Sequence, residues 1–141
     1  MSSCQTMQAP DSNAKLKLKM VASDDLSNNK PIVVYITCGP QQAEDLARIL
    51  VTKKAAACVN IVGNVRSIYR WQNKIEEDNE SMLIIKTTTS SLELLGNLVN
   101  QHHEYDLPEI IATPIVAGSQ DYLSWINSVT TINTGPNGAD K

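Results

Sequence analysis

AACVNIVGNVRSIYRWQNKIEEDNESMLIIKTT, from Ala56 to Thr88, is the stretch that decides the fold. It contains strand-like runs at Ala57–Val62, Val65–Trp71, Lys74–Glu77 and Met82–Thr88. Gly63-Asn64 predicts a two-residue hairpin turn, since a Gly-X pair suits a turn whose first central residue needs positive φ. Gln72-Asn73 is a second candidate turn, because Asn tolerates the left-handed region. Strand side chains alternate, so Val65, Ser67, Tyr69 and Trp71 share one face and Arg66, Ile68 and Arg70 the other. The acidic run Glu76-Glu77-Asp78 reads as a solvated hairpin tip, and it lacks the ordered ligand loop of a calcium site. A two-stranded ribbon is marginally stable alone in water. This much ribbon therefore predicts pairing with the sheet edge of another copy.

Upstream, Ile32–Thr37 is a continuous apolar run of the kind found in central strands. Gly39-Pro40 breaks it, with Pro40 suited to a first helical turn. Ala43, Leu46, Ala47, Leu50 and Val51 then follow at helical spacing, predicting an amphipathic helix to about Lys54. Downstream, Ser90 and Glu93 match a capping box. The helix behind them carries Leu92, Leu95, Leu98, Val99 and His102 on one stripe. Ile110–Val116 predicts a last strand, placed at a sheet edge because Pro114 lacks a ladder donor. Gly118-Ser119 introduces a short helix with Tyr122, Trp125, Ile126 and Val129 as its apolar face, Trp125 reading as core. The element order is β-α-β twice over with a terminal helix. That predicts an α+β, ferredoxin-like βαββαβ sandwich with an extended β-hairpin and a C-terminal helix. Residues 31–133 form the folded domain. The Ser-, Asn- and Lys-rich residues 1–30 read as a disordered tail, in which Lys15–Met20 alternates like a short strand, and residues 134–141 as a second tail.

The 141 residues suffice for one core, and the net charge of −3 with no basic patch points away from nucleic acid and anionic membrane. No run approaches a membrane span, and the N-terminal stretch lacks a signal-peptide apolar region. The three cysteines, Cys4, Cys38 and Cys58, form no CxxC. They read as reduced thiols, which predicts a cytoplasmic protein.

The runs AAACVNIVGNVRSIYRWQNKIEEDNE, MLIIKT, HHEYDLPEIIATPIVAG and DYLSW, in unbroken order from Ile32 to Val129, resemble the CutA divalent-cation-tolerance family. The resemblance implies a homotrimer whose long hairpins pair across subunits, and a link to copper and other divalent metals. It also implies an architectural likeness to the trimeric PII signalling proteins and, in mammals, an association with anchoring a partner enzyme. Two positions depart from the family pattern. His103-Glu104-Tyr105 stands where the family has HPY, and Trp71-Gln72-Asn73-Lys74 where it has Trp-x-Gly-Lys.

A site for a soft or borderline divalent ion, copper or else zinc, needs converging thiolate, imidazole or carboxylate ligands. The candidates are Cys38, His102, His103 and Glu109. Neighbouring helical residues point about 100° apart, so His102 and His103 do not easily serve one ion from one helix. His102 lies on the apolar stripe and is expected to point inward, with Cys38 as a second ligand. The alternative is an interface histidine and a small buried thiol. Tyr69, Trp71, Glu76, Lys86, Tyr105, Tyr122 and Trp125 form a candidate polar and aromatic pocket between subunits. Lys86 interrupts an apolar strand and needs a partner, with Glu109 or Glu76 the expected carboxylate. The alternative is an inter-subunit ion pair with packed aromatics. No GxSxG, HExxH or P-loop occurs, so the chain is read as a non-enzyme. Three functions remain open: divalent-metal binding and tolerance, PII-like signalling through a small anion, and a structural trimer that anchors a protein partner.

Overall fold

The computed structural model describes residues 19–21 and 29–130. The elements run β1 (Pro31–Cys38), α1 (Ala43–Thr52), β2 (Cys58–Trp71), β3 (Lys74–Thr88), α2 (Leu92–His102), β4 (Ile110–Pro114) and α3 (Gln120–Ser128). The strands form one sheet in the order β2-β3-β1-β4, every neighbouring pair antiparallel. This is the ferredoxin-like βαββαβ arrangement predicted from the element order. Each β-α-β unit brackets a strand of the other, so β1 and β3 are central. The strand with Pro114 lies at an edge, as its missing donor requires.

The core lies between the sheet and the α1–α2 layer. It is built from alternate residues of β1 (Ile32, Val34, Ile36, Cys38) and β3 (Leu83, Ile85), closed by Leu46 and Leu50 of α1 and Leu92, Leu95, Leu98 and Val99 of α2. Alternation on the strands and helical spacing on the helices produce these stripes directly from the sequence. Val51, expected on the buried stripe, is exposed. Pro40 belongs to a turn, closed by the Gln42 amide donating to the Gly39 carbonyl, and α1 starts only at Ala43. The other end of α1 is a Schellman closure: the Ala55 amide donates to the Leu50 carbonyl and the Lys54 amide to Val51, with Lys54 at φ 65°. A 3-10 turn at Thr89–Ser91 makes Ser91, rather than Ser90, the N-cap of α2, and its hydroxyl meets that of Thr88 instead of capping the helix.

The quoted stretch differs from its predicted form in one respect that matters. Gly63-Asn64 makes no hairpin. β2 runs through it, and the register passes from Val62 opposite Met82 to Val65 opposite Glu80, leaving two residues against Ser81. That is a β-bulge, with Asn64 taking the left-handed conformation at φ 59°. The reversal occurs at Gln72-Asn73, both at positive φ, as two-residue hairpin turns of the primed type demand. Glu76-Glu77-Asp78 therefore sits within β3 and not at a tip. β1 ends at Cys38 opposite Ser81, so Val65–Trp71 and Lys74–Glu80 continue beyond it as a ribbon of two strands.

Among the described tail residues, Met20 packs against the core. The expectations for residues 1–18 and 22–28, for the last residues of the expected domain, 131–133, and for residues 134–141 lie outside the described residues.

Candidate functional site

The segment between α2 and β4 is where most of the chemistry-bearing residues meet. α2 ends at His102, and His103 takes φ −75° and ψ 141°, an extended conformation that ends the helix. His103, 3% exposed, is held at both ring nitrogens. Its Nδ1 accepts the Tyr105 amide at 3.1 Å, which places the ring proton on Nε2, donated to the Thr37 carbonyl at 2.9 Å. The Tyr105 side chain is fully buried, its ring 4.7 Å from that of His103, and its hydroxyl donates to Glu80 Oε2 at 2.9 Å. Glu109 Oε1 accepts the Thr37 hydroxyl at 3.3 Å. Thr37 is thus gripped from both ends of the segment.

Glu104 occupies the position at which a Pro was expected from the family pattern. The extended backbone of His103 is the conformation that a following Pro would impose. Here two α1-side glutamines hold the segment instead. Gln42 accepts the Glu104 amide at 3.4 Å and donates to the His102 carbonyl, while Gln41 donates to the Glu104 carboxylate at 3.3 Å. A Pro at 104 could not make the first of these bonds.

The predicted metal set does not converge. His102, expected inward, is exposed, while His103, expected off the stripe, is the buried one. The helix ends between them, so the helical stripe no longer governs His103. Cys38 is buried in the apolar core, on the alternate side of β1 from the Thr37 hydroxyl. No group of three or more His, Cys, Asp or Glu residues among those described is placed to hold a metal ion. Within one chain the residues present do not fit a resident metal.

The predicted pocket set divides among three places. Tyr69 and Trp71 lie on the ribbon face that also carries Glu76, Asp78 and Glu80, since Tyr69 pairs with Glu76 and Trp71 with Lys74. Tyr69 donates its hydroxyl to Asp78 Oδ2. Tyr105 reaches the same face through Glu80. Lys86 is elsewhere, and its ammonium donates to the Asn60 side-chain amide oxygen rather than to Glu109 or Glu76. A neutral partner suffices because Lys86 is only half-buried. Tyr122 and Trp125 pack together on α3 with centroids 5.3 Å apart. Trp125, expected in the core, is 41% exposed, and only Ile126 of that helix is fully buried. Ser119 caps α3 by accepting the Tyr122 amide, as its position predicts. Loss of solvent around the Tyr122 phenol, with the Cys58 thiol beside it, pushes its ionisation above the usual phenol range.

Sequence reasoning missed Thr37, Asp78 and Glu80. The signal for the two acids was present: Glu76, Asp78 and Glu80 recur at period two, opposite the Val65-Ser67-Tyr69 face. Glu80, 2% exposed, accepts a phenol rather than water.

Residues 32–129 match the family described as CutA1 divalent ion tolerance protein. The chloroplastic protein CutA of Arabidopsis thaliana is 50% identical over 100 residues, covering 70% of this chain and 55% of that protein. The chain thus matches about half the length of this curated relative. The solved divalent cation tolerance protein CutA1 of Thermus thermophilus superposes with a TM-score of 0.70 at 43% identity, covering 72% of this chain and 99% of that one. A PII-like protein CutA from Nostoc superposes with a TM-score of 0.68 at 28% identity, covering 72% and 98%. None of these carries the name of an enzyme. The expected cytoplasmic location is overturned. The Arabidopsis relative is chloroplastic, and an Archaeoglobus fulgidus structure, 36% identical with a TM-score of 0.67 over 70% of this chain and 97% of that one, is described as periplasmic. Reduced thiols are no address, since an odd set of dispersed cysteines suits several compartments. With a family match spanning nearly all of the described domain, and a PII-like fold shared with its solved relatives, the chain belongs to the CutA1 divalent ion tolerance family.

Proposed function

We propose that this chain works as a homotrimer in the response to divalent metal ions, with copper preferred over zinc and bound at the seams between subunits. The observation that carries this reading is the surface a single chain leaves uncovered beyond the part of the sheet that α3 packs against. β2 is an edge strand running from Cys58 to Trp71. On the sheet face away from α1 and α2, Val62, Met82, Ile84, Tyr35 and Ile111 stand in adjoining registers, half-buried or exposed. An apolar sheet face and a long free edge both call for a second copy of the same chain. A seam site would draw on His102, exposed at the end of α2, and on the half-buried Glu109, since Cys38 is enclosed in the core and both ring nitrogens of His103 are engaged. Copper ranks above zinc for mixed nitrogen, oxygen and sulfur donors. No catalytic step is assigned.

Native mass spectrometry during a copper titration tests this. The expected spectrum is a trimer that takes up copper in a fixed ratio to subunits, with weaker uptake of zinc and loss of uptake in His102→Ala. A single chain, or copper uptake that is indifferent to assembly, overturns it. A second reading, PII-like signalling, is supported by the likeness to the Nostoc protein. It predicts that a small anion such as phosphate raises the melting temperature while copper does not.

A further inference from the structure

Glu80 occupies a special position on β3. Ser81 is the last residue of β3 paired to β1, so Glu80 is the first beyond that support. It also faces Val65, the first residue of β2 past the bulge. The ribbon therefore has its root at Glu80, where a central strand loses one neighbour and its partner strand is kinked. Backbone pairing alone leaves such a root compliant, since bulges bend and twist the strand that bears them. At about 3.3 Å per residue the ribbon extends roughly 20 Å past its root, so a tilt of about 10° moves its tip by about 3–4 Å.

The group that meets this root comes from the α2–β4 segment. The Tyr105 hydroxyl donates to Glu80 Oε2 at 2.9 Å, and both side chains are buried. Tyr105 is itself fixed, because its amide donates to His103, whose ring donates to the Thr37 carbonyl of β1. The body of the domain, the segment and the ribbon root are joined through three consecutive hydrogen bonds. A hydrogen bond to a carboxylate is among the stronger ones available to a buried phenol. We propose that the Tyr105–Glu80 bond is a latch through which the α2–β4 segment sets the angle of the β2–β3 ribbon. Displacement of the segment, by a bound group or a neighbouring subunit, is thereby transmitted to the ribbon tip. In its second consequence, the rate at which subunits exchange, the latch rests on the trimer proposed above.

Hydrogen exchange read by mass spectrometry on the intact assembly tests the latch. Tyr105→Phe keeps the buried ring and removes the hydroxyl. Amides of Val65–Trp71 and Lys74–Glu80 are expected to exchange about ten-fold faster, with β1 and α1 unchanged. Glu80→Gln keeps an acceptor and is expected to stay within about three-fold of the parent. Tyr105→Phe with Glu80→Leu removes the bond without stranding a buried carboxylate, and is expected to loosen the ribbon as Tyr105→Phe does. Unchanged ribbon exchange in either bond-lacking variant overturns the latch, as does a rise spread evenly over helices and sheet. Mixing isotopically labelled and unlabelled copies is expected to show subunit exchange about ten-fold faster in Tyr105→Phe. A parent protein that proves to be a single chain overturns the trimer and leaves the exchange test of the latch standing.

Discussion

His102 and His103 illustrate how one backbone step changes the fate of a side chain. A helix running one residue further would put His103 off the stripe. Because α2 stops at His102, His103 turns inward and both its ring nitrogens are engaged. His103→Ala leaves a buried carbonyl and a buried amide to find other partners, so it should cost about 2–3 kcal/mol in denaturant unfolding. His102→Ala, on the surface, should stay within about 0.5 kcal/mol. Equal losses from the two would contradict the assignment of inward and outward rings. The sequence could not separate them, because the choice depends on where the helix ends, and no Gly or Pro marks that end. Gln42 holds the segment from a distant part of the chain, and no local pattern announces such a bond.

The elements themselves were largely readable from periodicity. The β1 and β3 cores alternate and α1 and α2 carry apolar stripes, so tertiary packing and local preference agree. The exceptions are places where the backbone takes positive φ without glycine. Asn64 turns an expected hairpin into a bulge, and Lys54 closes α1 where Gly is the usual occupant. Lys54→Gly should relieve the left-handed strain and stabilise the domain by about 1 kcal/mol, measured by chemical denaturation. A loss of stability would show that packing of the Lys54 stem outweighs its backbone cost. β2 and β3 were each read as two short strands because Gly63-Asn64 imitates a turn and the acids imitate a tip. Only pairing across the sheet distinguishes a long bulged strand from two short ones.

At the level of the molecule, one face of the sheet is closed by two helices and the other only in part, by α3, whose Tyr122 lies beside Cys58. α1 and α2 cover the first, whereas Ile84 and Tyr35 on the second remain half-buried in the single chain. Ile84→Asp should therefore spare the fold while dissociating the assembly, seen as a fall in sedimentation coefficient with the far-ultraviolet dichroism retained. Unaltered sedimentation would place the subunit contact elsewhere. The surplus of ribbon points to the proposed assembly, but it says nothing of the chemistry at a seam. Of the donors proposed for a metal, His103 and Glu109 meet at Thr37, while the end of α2 and the alternation of β1 set His102 and Cys38 apart from them.

The bulge at Gly63-Asn64 also acts as a frame shift in the reading of β2. Before it, Val59 and Ile61 lie on the helix side; after it, Val65, Ser67, Tyr69 and Trp71 lie on the opposite side, although all six are odd-numbered. A single codon lost there would erase the bulge yet leave Val62 opposite Met82 and Val65 opposite Glu80, so Tyr69 would stay beside Asp78 and only the local bend would go. Length variation at this one point is therefore a change of curvature, able to redirect the ribbon as it leaves the sheet while every side chain of the ribbon keeps its face.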